Sequence, residues 1–146
     1  MQVRIATPSD KQQVLFLFDE FSILFHAKDV PSQIGGDIFD DVIRRNDTKI
    51  FVAEDNGNLV GLATLYLLPN IRHGWHRGHI EDFYTTSLYR RKGVGTLIFT
   101  AIKQFCRNNN IKVIKLDSKK DLAASHAFYK KNGGVFTEKM FRFDLL

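Results

Sequence analysis

His79-Ile-Glu-Asp-Phe-Tyr-Thr-Thr-Ser-Leu-Tyr-Arg-Arg-Lys-Gly-Val-Gly-Thr-Leu-Ile-Phe-Thr-Ala-Ile-Lys-Gln-Phe105 reads as a strand, a basic glycine turn and a long amphipathic helix, in that order. Where the strand gives way to the helix, the first helical N–H groups have no internal partner and the local dipole is positive. An anion is favoured at such a point, and a pyrophosphate would fit it. Gly93 and Gly95 let the backbone come close to such a ligand, and Arg90, Arg91 and Lys92 strengthen the field.

Downstream, Val94, Leu97, Ile98, Ala101, Ile102 and Phe105 form one continuous apolar stripe, which makes this the clearest helix in the chain. Asn108-Asn109-Asn110 stops it. Ile111, Val113, Ile114 and Leu116 then predict a short strand parallel to the His79 strand, completing a βαβ unit. Asp121 to Asn132 reads as a further helix ended by Gly133-Gly134, and Val135 to Leu145 as a final strand or pair of strands.

Upstream, Pro69 to Gly78 fits neither period and reads as a loop. Lys49 to Glu54 and Leu59 to Leu67 are β-prone runs joined by Asp55-Asn56-Gly57-Asn58, a strong hairpin signal. Val3 and Ile5 mark a first strand, and Thr7-Pro8-Ser9-Asp10 a helix start. Val14, Leu17, Phe18, Phe21, Leu24 and Phe25 make that helix's apolar face, with an end near His26. Ala27 to Gly36 is a candidate mobile connection, and Ile38, Phe39, Val42 and Ile43 indicate a second, shorter helix. The resulting order is β-α-α-β-β-β-α-β-α-β, for which a mixed sheet covered by helices on its faces is the natural closure.

At 146 residues the chain has room for one well-buried core, so a single domain over 1–146 is expected. With 44% hydrophobic and 25% charged residues it has a globular composition. One cysteine leaves no internal disulfide, and neither a transmembrane-length apolar run nor a signal-peptide pattern is present, so a cytoplasmic location is expected. A net charge of +5 points to an anionic partner, which a phosphate-bearing cofactor satisfies as well as nucleic acid does. The cations cluster at the glycine turn and the late helix, with no recognition helix or aromatic platform beside them, and this argues against nucleic acid.

Arg90-Arg91-Lys92-Gly93-Val94-Gly95 after a strand, followed by Ala127-Phe128-Tyr129-Lys130-Lys131-Asn132-Gly133, resembles the GCN5-related N-acetyltransferase (GNAT) superfamily over nearly the whole chain. The resemblance implies an α/β (mixed α+β) fold: a central mixed, mostly antiparallel sheet with a parallel, splayed strand pair and flanking helices. It also implies acetyl-CoA as cosubstrate, with no metal. Backbone groups around Phe83, Tyr84 and Thr85 would meet the pantetheine arm and the thioester carbonyl. Amides and side chains of Arg90, Arg91, Lys92, Gly93, Val94, Gly95 and Thr96 would hold the pyrophosphate, and Ser125 would add a contact from the late helix. Two departures stand out: Leu122 occupies the place of a common cofactor-binding asparagine, and Gly133-Gly134-Val135-Phe136 replaces a Gly-Phe pair directly after the helix.

Acetyl transfer to an amine needs a base for the ammonium proton, stabilisation of the carbonyl oxygen and an acid for the departing thiolate. By family position Glu81 is the candidate base, working through a water relay, and Tyr129 the candidate acid. Strand alternation turns Asp82 to the face opposite Glu81. The bland readings are a strand-edge Glu81 paired with an arginine and a Tyr129 packed on the sheet. His73, His76 and His79 read as a solvated loop or substrate lip, His126 as a surface residue and Cys106 as a helix-packing thiol.

The expected acceptor is a primary amine of a small cationic molecule, because Asp19, Glu20, Asp29, Asp37, Asp40 and Asp41 concentrate acidity in the N-terminal third. It would be lined by the loop from His26 to Gly36, the Pro69 to Gly78 loop and the C-terminal strands. A peptide or protein amine, and a non-catalytic acyl-CoA-binding module of the same fold, are the alternatives. The apolar end Met140 to Leu146 is consistent with a homodimer; no membrane or nucleic-acid partner is expected.

Overall fold

Asn56 and Gly57 both take positive φ, 50° and 81°, which suits the tight turn between two right-twisting strands. Around them the hairpin of β2 (Thr48–Asp55) and β3 (Asn58–Asn70) forms the centre of the sheet. The computed structural model describes residues 1–25, 35–138 and 140–145. It divides into two compact units, 1–115 and 116–146.

In the first unit β1 (Gln2–Ile5) pairs antiparallel with β2, and β3 pairs antiparallel with β4 (Trp75–Thr85). The short β5 (Ile114–Leu116) completes the order β1-β2-β3-β4-β5, parallel to β4, with Gly78 N–H donating to the Val113 carbonyl at 2.9 Å. The mixed, mostly antiparallel sheet with flanking helices is therefore present as expected.

Two helices cover opposite faces because the central strands β2 and β3 are buried at consecutive positions, so that side chains pointing to either face of the sheet are apolar and need cover. Val14, Leu15 and Leu17 of α1 (Lys11–Leu24) join Ile50, Val52, Leu62 and Tyr84 in one core, which Phe39 of α2 (Gly36–Val42) closes. On the other face lies α3 (Val94–Asn108), whose Val94, Ile98, Ile102 and Cys106 are buried, with Phe51 edge-on to Phe105 at 5.7 Å. Gly61 permits this approach. A Cβ there would sit 3.0 Å from the Tyr84 carbonyl and 3.1 Å from Ile98, too close without movement.

β1 is tied to the start of α1 by an ion pair. Arg4 donates through both terminal nitrogens to Asp10, each at 2.8 Å, and through Nε to Glu54 at 2.8 Å. Asp10 also accepts from the Thr7 amide at 2.7 Å, fixing the turn Pro8–Asp10 that leads into the helix.

Three expectations change. The loop read over Pro69 to Gly78 is mostly strand: β3 runs to Asn70, a short turn over Ile71–His73 ends at Gly74 with φ 68°, and β4 begins at Trp75. Pairing of Pro69 with His76 and Asn70 with Trp75 supplies hydrogen bonds that local composition does not reveal. In the second unit α4 (Ala123–Lys131) forms as expected, but the described part of 134–145 carries no strand. Phe141 and Phe143 are each 82% exposed and Leu145 90%, so no apolar face is buried to stabilise a strand there. The third change concerns Asp82 and is described with the site. Of the connection expected over residues 26–36, residues 26–34 lie outside the described residues.

Cys106 follows the packing reading. Its Sγ lies within 3.6 Å of where a Cβ on Gly78 would be, and burial pushes its thiol up to about 11. At pH 8 roughly one molecule in a thousand would carry the thiolate, so native protein should resist a thiol-specific disulfide reagent that labels urea-unfolded chain within minutes. Prompt native labelling would contradict the packing role.

Candidate active site

The turn that follows β4 has backbone geometry and charge that suit an anion. Arg91 and Gly93 both adopt left-handed backbone, φ 62° and 84°, which turns the chain sharply into α3. No atom lies within 4 Å of a Cβ built on Gly93, so conformation rather than crowding requires the glycine. The first helical bond runs from the Leu97 amide to the Gly93 carbonyl, leaving the amides of Val94, Gly95 and Thr96 ahead of any intrahelical acceptor.

Arg90, Lys92 and Tyr89 are held at the same turn. Arg90 donates from Nε to the Thr85 carbonyl at 3.1 Å and lies over the Tyr84 ring at 5.7 Å. Lys92 lies 5.4 Å over Tyr89, whose hydroxyl donates to Asp55 at 2.9 Å. Helical amides, glycine-permitted backbone and three exposed cations together fit the phosphate end of a coenzyme.

Of the strand residues expected at the cofactor, only backbone groups face outward from the sheet edge. Thr86 N–H bonds to the Val60 carbonyl, so by alternation Phe83 and Thr85 turn their peptide groups away from β3. The side chains go elsewhere. Phe83 packs edge-on to Phe99 at 6.2 Å, and Tyr84, 6% exposed, packs at a tilt against Phe21 and donates to Glu20 at 3.4 Å.

Farther up β4, Tyr66, Leu68, Arg77, His79 and Glu81 line an open hollow of about 430 Å³. Cross-strand pairing explains the grouping, since Tyr66 stands opposite His79 and Leu68 opposite Arg77 on one face. His79 Nε2 lies 3.2 Å from Glu81 Oε2, and the Glu81 side chain is 61% exposed. Arg77, half-buried, has no hydrogen-bond or ion-pair partner among the described residues. Glu81 is thus paired, but with a histidine of its own strand rather than with an arginine.

Asp82 departs from the sequence reading. The register slips between Ala63 and Leu65, so Glu81 and Asp82 together oppose Thr64, a bulge that breaks the two-residue alternation. The Thr64 hydroxyl donates to Asp82 Oδ2 at 2.7 Å, and the Asp82 amide donates back to Thr64 Oγ1 at 3.0 Å. Thr64 shares its face with Tyr66, two residues on, so Asp82 belongs to the same side of the sheet as the hollow rather than to the opposite one. Burial raises its carboxyl above the usual carboxylate range; the Thr64 bond opposes the shift and the charge of Glu81 adds to it. The Tyr66 phenol is likewise raised, by burial and then by Asp82 and Glu81.

The remaining candidates lie in the second unit. Ser125 and Tyr129 stand four residues apart on one face of α4, and burial pushes the Tyr129 phenol above its ordinary value. Phe128 packs edge-on to Tyr129 at 5.5 Å. Leu122, at the helix start, contributes its carbonyl to the His126 amide at 3.0 Å and offers no polar side chain. Sequence reading missed Thr64 and Tyr66, for which only the adjacent pair of acids in a strand hinted at a partner across the sheet; Arg77 lay within the Pro69 to Gly78 segment expected to line the acceptor, without being singled out.

The sequence model of the Acetyltransferase (GNAT) family matches residues 15–134. Glucosamine 6-phosphate N-acetyltransferase of Trypanosoma brucei brucei is 29% identical over 99% of this chain and 96% of its own length. Among solved structures, a Trypanosoma brucei acetyltransferase superposes with a TM-score of 0.79 at 28% identity, covering 99% of both chains. An aminoglycoside acetyltransferase from an uncultured soil metagenomic sample shares the fold, with a TM-score of 0.85 at 20% identity over 99% of this chain and 95% of that one.

Proposed function

The chain belongs to the acetyltransferase (GNAT) family and is an N-acetyltransferase, and from that premise we propose that it moves an acetyl group from acetyl-CoA to a primary amine of a small molecule by direct attack in a ternary complex. One observation carries the reading: a single strand bears the carboxylates Glu81 and Asp82 and leads, through a short turn over Ser87–Tyr89, to the basic glycine turn at Arg90 to Gly95. The match to the family extends across residue 115, which supports one domain over 1–146.

When bound, acetyl-CoA supplies the activated acetyl thioester, and the chemistry asks the chain for a base, an acid and dipoles rather than a metal. The turn amides and cations hold the phosphates. Glu81, solvent-reached and beside the hollow, takes the ammonium proton through water. Tyr129 gives a proton to the departing thiolate, and its raised phenol keeps that proton at neutral pH. The outward peptide groups of Phe83 and Thr85 and the Ser125 hydroxyl complete the donor site as family position implies, whereas the Tyr84 N–H and carbonyl face β3.

Within the small-amine class, an acceptor that also carries a phosphate is favoured by Arg77, a half-buried cation without a described partner at the hollow. The trypanosomal relative's name specifies such an acceptor. Support for a polycation is weaker, because Lys11 pairs with Asp40 at 2.7 Å, Arg45 approaches Asp41 at 3.8 Å, and Glu20 accepts from Tyr84. We place the protein in the cytoplasm; no helix among the described residues is long and apolar enough to cross a membrane. A homodimer is supported by the exposed Phe141, Phe143 and Leu145, and a monomer in sedimentation equilibrium would remove it.

Thiol release from acetyl-CoA tests the whole reading, with glucosamine 6-phosphate, polyamines, aminoglycosides, amino acids and peptides as acceptors. Saturable release with a small amine is expected, and Tyr129→Phe should lower kcat by roughly 10²-fold with acetyl-CoA saturating. Tight acetyl-CoA binding without release for any acceptor would make the protein a binding module. Full turnover in Tyr129→Phe would remove the acid.

A further inference from the structure

We propose that Asp82 is the anchor for the acceptor's ammonium group, a positioning residue that holds the amine while Glu81 receives its proton. This rests on the reading that the β3–β4 hollow receives the acceptor, and it assigns a role to a side chain that strand alternation would place on the wrong face.

The bulge opposite Thr64 is the first ground. It gives β4 one residue more than β3 at this point, so two consecutive carboxylates come to the side of the sheet that bears Tyr66 and His79. A regular strand would separate them by the thickness of the sheet. Tyr66 on this face has its phenol raised first by burial and then by the negative charges of Asp82 and Glu81, in keeping with that juxtaposition.

The second ground is how Asp82 is bonded. Oδ2 accepts from Thr64 at 2.7 Å, whereas Oδ1 has no hydrogen-bond partner among the described residues. No unpaired side-chain oxygen or nitrogen is fully buried among those residues, so Oδ1 keeps some contact with solvent. Asp10 provides the contrast. Both its oxygens are bound by Arg4, with the Thr7 amide added, and nothing of its charge is left for a ligand. Asp82 has no lysine or arginine on it among the described residues, and Thr64 holds it in one orientation with an oxygen still available.

The energetics follow from that arrangement. A half-buried carboxylate beside a second carboxylate is unfavourable when empty, which is the direction of its shift. A cation at Oδ1 reverses both causes at once, replacing lost hydration and screening the repulsion from Glu81. An alkylammonium suits this better than a hydrogen-bonding neutral group, because a charge-assisted bond to a partly buried carboxylate is about twice as strong as a neutral one. Glu81, more exposed and in contact with His79, keeps access to water for proton transfer.

The test reads binding rather than turnover. Full-length protein with ¹³C-carboxyl labels is titrated at neutral pH with propylammonium chloride, and in parallel with neutral propionamide. Saturable shifts of the Asp82 and Glu81 carboxyl carbons are expected with the ammonium alone. In Asp82→Asn the Glu81 response should need roughly tenfold more ammonium or greater, while acetyl-CoA affinity and thermal midpoint stay at or above wild type. Asn retains an oxygen for the Thr64 hydroxyl and removes an unfavourable charge, so this variant should fold. An Asp82 carbon that does not move, an equal response to propionamide, or an Asp82→Asn affinity within twofold of wild type would each overturn the assignment. Thiol release distinguishes the two readings: failure of every acceptor with intact ammonium binding removes the acetyl-transfer proposal alone, and turnover without an Asp82 response removes the anchor alone.

Discussion

Glu81→Gln lowers kcat by an expected 10²- to 10⁴-fold, roughly the range for loss of a positioned general base. The substitution keeps the shape of the side chain and its ability to bond His79 Nε2, 3.2 Å away, so packing in the hollow should survive. The acceptor arrives as an ammonium with a pKa of roughly 10. Without a carboxylate only the small fraction already deprotonated reacts, and the rate should rise with pH toward that of wild type. The measurement is thiol release over a pH series with both substrates saturating, with acetyl-CoA binding followed separately. An unchanged rate and pH profile would sink the base assignment, and His79 would then be the next residue to examine, because it is the ring already in contact with the carboxylate.

Asp10→Ala destabilises the fold by about 2 kcal/mol, the expected cost of losing charge-assisted hydrogen bonds in a part-buried pair whose Arg4 side chain is one third exposed. Asp10 is 5% exposed and holds Arg4 through two bonds of 2.8 Å. Its removal leaves Arg4 with Glu54 alone and the Thr7 amide without an acceptor. That Arg4 keeps one partner limits the loss. Urea denaturation should show the loss as a lower midpoint at constant slope, and a change below about 1 kcal/mol would mean that the pair is not cooperative with the fold.

The same residue sets an acid limb. The Arg4 guanidinium, followed by the Thr7 contacts, holds the Asp10 carboxyl below the usual carboxylate range. As pH falls through about 4, the unfolded chain takes up the proton first, so this stabilisation is complete above that pH and declines below it. Asp10→Ala should flatten that decline. Asp82 has the opposite sign. Its carboxyl is raised in the folded state, so its ionisation opposes folding as pH rises through the folded value, and Asp82→Asn removes that opposition.

Much of this was legible in the residues because it depends on local geometry. The Asn56-Gly57 turn needs positive φ at both positions, and few residue pairs provide that. The helix from Val94 to Asn108 has one apolar stripe, and the turn before it concentrates glycine and cations where unpaired amides occur. The extended hairpin at Pro69 to Gly78 was hidden because its residues have no β-period; pairing across the sheet makes the strands. The apolar alternation at the C-terminus misled in the other direction. Composition suited to a strand does not make one without a neighbour for its peptide groups.

Sequence by itself determined the order of elements up to the late helix, though not the expected final strand, together with the basic glycine turn and the presence of Glu81, Asp82 and Tyr129 on elements of known type. Tertiary structure decided which of them share a face. A strand read alone has a strict period of two, which sends Asp82 away from Glu81. The bulge depends on how β3 and β4 are matched across residues nearly twenty positions apart in the chain, with Thr64 opposite both acids, and no local pattern encodes that register.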